Sequence, residues 1–482
     1  MGAGIACEAA RAGLAVALVD KRDFGSATSS ASSKLVHGGL RYLRLGDVRL
    51  VREAHRERRA LMRAVAPHLV RRLPFLVPLY DDSPYRPVTL QSGLWLYSTL
   101  ARERLGGLVS PERARRAVPE LRTDGLRGCG LYADAVTHDA RLCLANVRGA
   151  ADAGATVLNY AEVVALGSER GRVTGADVRD ARDGAELRVR ARAVVNATGP
   201  WVDAVRRLED ARARPSSRLS KGVHVVLPLE RPWSAALTLL RDKVRVSFAV
   251  PWEGMLLLGT TDSLFEGDPS DLTASEDDIA QVLAEASQAV DPALLVRERV
   301  RSAFAGLRVL PGREGDTAAA RRETLFLRGP AGMLSVAGGK LTTYRRIALD
   351  ALGALRGELG LRRLEARPTP LPGAAELGDA ATRIARRFPE LEPPIRSHLA
   401  HLYGGLAEEV LAPAGQDAGL LRRLHPDAPD IAAQALYAGR AEWAVSAEDV
   451  LRRRTTLALR GVEGPDVVAR VEALLRPVRS PA

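Results

Sequence analysis

The chain opens on a helix with almost no bulk. "GAGIACEAARAG" keeps small residues on every turn and reaches Gly13, a residue suited to ending a helix. "LAVALVD" then runs unbroken and apolar to Asp20, the pattern of a buried parallel strand rather than of a half-exposed one. Two later stretches repeat a strand running into a small-residue turn and a helix. "ARAVVNATGPWVD" (191–203) leads from Ala193–Val195 through Asn196–Gly199 into a helix at Trp201 and Val202. "MLSVAGGKLTTYRR" places Gly338 and Gly339 between a strand and a helix. "ATVLNYAEVVAL" (155–166) reads as a strand, and "VPWEGMLLLGTTD" (250–262) alternates into another. Between 92 and 108, Leu94, Trp95, Leu96, Tyr97 and Leu100 cluster beside Arg102 and Arg104, a composition equally suited to an interfacial amphipathic segment and to a core helix. Pro368, Pro370 and Pro372 mark 356–373 as a linker, and from 374 onward apolar residues recur at helical spacing.

The opening stretch fits the second half of a dinucleotide-binding unit. In that unit a strand enters G-x-G-x-x-G, whose third glycine lets the helix pack closely, and an acidic residue about 20 positions on binds a ribose hydroxyl. Gly2 occupies the third-glycine place, Gly4 continues the close-packing face and Asp20 ends the following strand. A strand of about 5–6 residues plus its turn would stand upstream. The expectation is that Met1 marks a misplaced start or a truncated record.

Bulk properties narrow the class. A chain of 482 residues allows two or three domains, and 46% hydrophobic with 27% charged residues excludes overall disorder. Net charge is +12, yet all but five of the 70 basic residues are Arg, so surface solvation explains much of it and attraction to anionic partners the rest. Nothing in it points to nucleic acid. Where this chain keeps Lys, Arg has not replaced it, which singles out Lys34, Lys221 and Lys340. Three cysteines without metal spacing suit a reducing cytoplasm and give no metal site. No apolar run reaches the roughly 18–20 residues of a membrane span, and no signal peptide is recognisable, so membrane contact would be peripheral.

Residues 26–43, "SATSSASSKLVHGGLRYL", combine a hydroxyl-rich loop, a Gly-Gly turn and an Arg-Tyr pair, with Leu35, Val36, Leu40 and Leu43 interleaved. Hydroxyls such as those of Thr28, Ser29 and Ser33 can bind phosphate or a polar ring without adding charge. This stretch resembles the flavin-loop signature of the FAD-dependent glycerol-3-phosphate dehydrogenases, within the glycine and D-amino-acid oxidase-like flavoproteins. "VVNATGPWVD", "KGVHVVLP", "VPWEGMLLLGTTDSLFEGDP", "LSVAGGKLTTYRRIA" and "AEDVLRRRTTLAL" continue the resemblance in order over nearly the whole chain.

The resemblance implies an α/β two-domain flavoprotein oxidoreductase. A Rossmann-like FAD domain (about 1–60, 140–220 and 300–355) would carry an antiparallel-sheet substrate domain (61–139 and 221–299). Within the whole of 1–355 these form the oxidoreductase region, and an all-α domain follows at 374–482. It implies oxidation of sn-glycerol 3-phosphate to dihydroxyacetone phosphate, with FAD as hydride acceptor and a membrane quinone, or in some members oxygen, taking the electrons. Cofactor contacts would come from Gly2, Gly4, Asp20, Thr28, Ser29, Ser33, Val163, Gly199, Gly339 and the helix opening at Leu341, Thr342 and Thr343. The phosphate would meet Arg41, Tyr42, Arg308, Arg321 (with Arg322 competing) and Lys340. His224 is the leading general base, with His37 in reserve, and Thr260 or Thr261 reaches toward the site. Stability or a homodimer contact is the expected role of the helical domain, and the inner face of the cytoplasmic membrane the expected location. An amine or amino-acid oxidase on the same scaffold, or a flavin-free remnant, remain the alternatives.

Overall fold

The computed structural model describes residues 1–44, 46–83, 85–103, 106–240, 246–312, 324–375 and 377–479. The first helix, Gly2–Arg11, buries Gly4, Ile5, Ala6, Cys7, Ala9 and Ala10 against helices Asp139–Asp152 and Tyr344–Ala354. Its small side chains permit this approach: a Cβ on Gly4 would lie 2.8 Å from Tyr344 Cδ2, so only glycine fits there. The strand that follows is shorter than the apolar run, Ala17–Val19, and is partly exposed rather than buried. Its described partner is the parallel strand Thr156–Leu158, with Ala17 opposite Thr156. One-sided pairing explains the exposure. A second parallel pair, Val195–Asn196 beside Leu334–Gly338, carries the two small-residue turns recognised in the sequence.

Among the described residues the dominant sheet has ten strands. Val70–Tyr80 and Leu126–Thr137 run antiparallel along most of their length, as do Ser217–Pro228 and Ser302–Pro311. Two segments that the resemblance allotted to the FAD domain therefore contribute to this sheet, since Leu35–Val36 pairs with Val136 and Ala135 as well. The loop from 26 to 36 thus bridges the nucleotide-binding layers and the large sheet.

Past Leu361 the chain crosses to a helical region. Helices Leu377–Arg387, Pro393–Tyr403, Ala432–Ala441 and Pro465–Arg479 share one apolar core containing Ile384, Leu399, Val410, Ala435 and Val471. Buried ion pairs tie this region to the rest: Arg141 donates to both carboxylate oxygens of Glu442 at 2.6 and 2.7 Å. Removing one partner of such a pair typically costs about 3–5 kcal/mol, because the other charge stays buried.

Candidate functional site

One cavity of about 600 Å³ lies where the 28–33 loop, the 338–342 turn, the large sheet and the helix Pro87–Ala101 converge. Its size falls within the roughly 300–1,000 Å³ usual for small-molecule and cofactor sites.

The hydroxyl loop is rigidly held. Lys34 Nζ donates to Asp139 Oδ1 at 2.7 Å with both groups buried, and Ser32 donates to Asp139 Oδ2 through its amide (3.1 Å) and hydroxyl (2.7 Å). Burial disfavours the Asp139 carboxylate, but Lys34 and these donors outweigh it and lower its pKa. Thr28 Oγ1 donates to Leu307 O at 2.8 Å. Thr28, Ser29 and Ser33 all face the cavity. Of the three lysines singled out, Lys34 therefore pins the loop, Lys221 pairs with Asp278 at 2.6 Å, and Lys340 alone lines the cavity.

Lys340 is buried, with Nζ 3.4 Å from the centre of the Tyr42 ring, a close cation–π contact. Arg308 enters from the strand Ser302–Pro311. Its Nη1 donates to Ser220 Oγ at 2.9 Å, and its Nη2 to Thr260 Oγ1 at 2.9 Å and Thr261 O at 2.8 Å. Asp262 lies 3.4 Å away. Gly222, on the neighbouring strand two residues past Arg308's partner Ser220, makes this placement possible, since a Cβ there would stand 2.3 Å from Arg308 Nη2. Of the two threonines considered, Thr260 lines the cavity, while Thr261 Oγ1 is turned inward to accept from Val223 N at 3.0 Å. Arg321 and Arg322 lie outside the described residues, and the Arg41 side chain is likewise not described.

His224 sits between these groups and the hydroxyl loop. Its Nε2 meets Ser33 Oγ at 2.8 Å, and its ring stacks on Phe304 at 5.0 Å between centroids and 15° between planes. Burial, reinforced by the Arg308 and Lys34 charges, lowers its pKa to about 3. The ring is therefore neutral at physiological pH, able to accept a proton but weakly basic until an anion offsets the cations. His37 also lines the cavity. Its backbone is tied to Thr342, whose Oγ1 accepts from His37 N at 3.0 Å and donates to His37 O at 3.1 Å.

At the other wall, Asn196 Nδ2 donates to Val202 O at 2.9 Å and Ser335 Oγ at 3.1 Å, which shapes the turn ending at Gly199. Gly199, Gly338, Gly339, Leu341 and Thr342 line the cavity. Thr343 does not: its amide is spent on Lys340 O at 3.2 Å, because residues 341–343 form a tight turn and the helix starts at Tyr344. Gly2 and Gly4 are also absent from the cavity wall. Gly2 faces Ala197, beside the 196–199 turn, and Gly4 serves packing against Tyr344.

Asp20 and Val163 stand together at a separate corner. Ala161 N donates to Asp20 O at 2.8 Å, and Val163 packs with Val19 and Leu158 in one small cluster. Burial raises the Asp20 pKa to about 7. Lys21 Nζ lies 4.0 Å from the Trp201 ring centre, linking this corner to the Gly199 turn. A small-residue wall, a hydroxyl loop and an acidic residue at the end of a parallel strand together fit a flavin dinucleotide.

Some of the site was not anticipated. Asp134 lines the cavity and accepts from Gly38 N at 3.0 Å, Arg58 Nη1 at 2.6 Å and Tyr97 OH at 2.8 Å. Burial raises its pKa. Asp134 is one carboxylate in a long strand with no local motif around it, so only the tertiary pairing with Arg58 and Tyr97 reveals it.

Residues 1–345 match the family model described as FAD dependent oxidoreductase, and residues 365–479 match the C-terminal domain of alpha-glycerophosphate oxidase. The chain is 38% identical to "Glycerol-3-phosphate dehydrogenase 2" of Mycobacterium tuberculosis over 496 residues, covering 98% of this chain and 83% of that protein. It is 39% identical to the Mycobacterium leprae glycerol-3-phosphate dehydrogenase over 501 residues, with the same coverage. Among solved structures, the glycerol-3-phosphate dehydrogenase of Bacillus halodurans complexed with FAD superposes with a TM-score of 0.75 at 27% identity, covering 98% of this chain and 91% of that one. With its cofactor-sized cavity, its paired parallel strands and its helical C-terminal region, the chain belongs to the FAD-dependent glycerol-3-phosphate dehydrogenase family.

Proposed function

We propose that the protein oxidises sn-glycerol 3-phosphate to dihydroxyacetone phosphate and hands the electrons to a membrane quinone. The observation that carries the reading is the convergence of Arg308, Lys340 and His224 on one cavity that Gly199 and Gly339 also line. A buried phosphate dianion needs charged donors around it, and Arg308 with Lys340 supplies two. Tyr42, stacked under Lys340, fixes where that ammonium sits. His224 takes the substrate hydroxyl proton at Nε2, the nitrogen that meets Ser33 Oγ. Its basicity rises once the phosphate offsets the Arg308 charge. The flavin, when bound, supplies the hydride acceptor.

The acceptor side of the reading rests on the helix Pro87–Ala101. Thr89, Leu90, Gly93, Leu94 and Leu96 line the cavity, while Val88 and Trp95, 74% and 64% exposed, face outward. The helix is thus both a wall of the cavity and an apolar outer surface, which suits a ring entering from a lipid surface. No described helix is long and apolar enough to cross a membrane.

The test is anaerobic. Protein loaded with FAD and mixed with sn-glycerol 3-phosphate should lose its visible flavin absorbance as dihydroxyacetone phosphate accumulates. Bleaching by glycine or proline, and none by the phosphate ester, would sink the proposal.

A further inference from the structure

The helical domain makes its most deeply buried charged contacts where the nucleotide-binding strands end. Dinucleotides lie outside the carboxyl ends of parallel strands. Here two loops leave those ends: 20–25 after Ala17–Val19, and 159–160 after Thr156–Leu158. The loops are joined to each other, with Tyr160 N donating to Arg22 O at 3.1 Å and Ala161 N to Asp20 O at 2.8 Å.

Both loops are gripped by residues 443–454. Asp23 is almost fully buried, and its Oδ2 accepts from Arg453 Nε and Arg454 Nη1. Its Oδ1 accepts from Arg454 Nη2 at 2.8 Å and Asn159 Nδ2 at 3.3 Å. Asn159 Nδ2 also donates to Trp443 O at 2.7 Å. Tyr160 OH donates to Asp449 Oδ1 at 2.7 Å, and the same oxygen accepts from Arg453 Nη2 at 2.8 Å. Phe24 stands edge-on to Trp443 at 5.7 Å. Two guanidiniums on one carboxylate, all desolvated, hold the backbone at Asp23 with little freedom.

Asp20 lies three residues before Asp23 in the same loop, and its Oδ1 accepts from Arg22 N at 3.2 Å. Positions of cofactor ligands matter at the scale of tenths of an ångström, so a loop held this firmly presents Asp20 in one place. We propose that the C-terminal helical domain is part of the cofactor site: Arg453 and Arg454, through Asp23, position the loop that carries Asp20 and set how tightly FAD is retained. The proposal rests on the family's FAD and on Asp20 as the ribose contact. Arg453, Arg454 and Asp23 are positioning residues in it, since none need touch the cofactor.

The experiment measures FAD release from the holoprotein, read as the rise in free-flavin fluorescence after dilution. Asp23→Asn and Arg454→Lys should release FAD at least about tenfold faster than the unsubstituted protein, the effect of losing one charge-assisted hydrogen bond. Arg453→Lys, which leaves both Arg454 contacts in place, is the milder variant should Arg454→Lys not fold. Arg141→Lys is the control, because it weakens another buried pair with the helical domain without touching either loop. It should melt earlier yet release FAD at the unsubstituted rate. Unchanged release in Asp23→Asn, or equal acceleration in Arg141→Lys, would overturn the proposal in favour of plain domain adhesion. If the unsubstituted protein holds no FAD, the failure lies in the cofactor reading beneath, and it appears before any variant is made.

Discussion

Replacing Arg308 by alanine isolates the phosphate contribution of the cavity. Arg308 is set by Ser220 Oγ, Thr260 Oγ1 and Thr261 O, which are uncharged acceptors. Among the described residues, Asp262 lies 3.4 Å from its Nη1. The guanidinium lines the cavity, where an anion can meet it. A hydrogen bond to a charged group contributes about 1.5–3 kcal/mol net, so its loss raises KM by roughly 10- to 150-fold. Alanine also takes away the guanidinium that stands 3.4 Å from Asp262, which pushes the result toward the upper end. Arg308→Lys keeps the charge but not the planar fork, and about a tenfold rise is expected. Steady-state kinetics with an artificial acceptor provide the assay, with glycerol as a substrate lacking the phosphate. The signature is a KM increase for sn-glycerol 3-phosphate with no comparable increase for glycerol. If Arg308→Ala is folded and its KM for the ester stays within about threefold of the starting value, the electrostatic reasoning is wrong.

Other outcomes follow from the same geometry. Gly222→Ala drives a methyl into Arg308 Nη2 and Thr260 Oγ1; it should reproduce part of the Arg308→Ala KM defect without changing any charge. His224→Gln keeps a polar side chain near Ser33 but removes the base, so kcat should drop by about 10²–10⁴, and an unchanged kcat would transfer the proton step to another group. Trp95→Glu should reduce co-sedimentation with anionic vesicles while sparing turnover with a soluble acceptor; full retention on vesicles would detach the helix from the membrane reading. His398 gives a pH effect of definite sign. Burial opposes its charge, but Asp430 and Glu253 prevail and raise its pKa to about 9. A raised histidine stabilises the fold below about pH 6.5, and the contribution, on the order of 3 kcal/mol, is lost as pH climbs through about 9. Thermal melts across that window should fall less steeply in His398→Gln.

How much of this was legible in the sequence depends on whether the information is local. The Gly338–Gly339 turn, the Asn196–Gly199 turn and the 26–36 hydroxyl loop each follow from consecutive residues, and each faces the cavity. Rare lysines were informative for the same reason, since a chain that otherwise writes Arg has marked its exceptions; even so, only the fold separates Lys340 in the cavity from Lys34 under the loop. What stayed hidden involves partners far apart in sequence. Thr343 sits in a matching motif, yet its amide is consumed by a tight turn that side-chain identity does not encode. Asp134 draws its meaning from Arg58 and Tyr97, 76 and 37 residues away. Asp23 was one acidic residue in "DKRDF" and Arg453–Arg454 one more basic pair among many. Only when they meet, 430 and 431 positions apart and buried, does an ordinary charge become a constraint on the loop beside the cofactor.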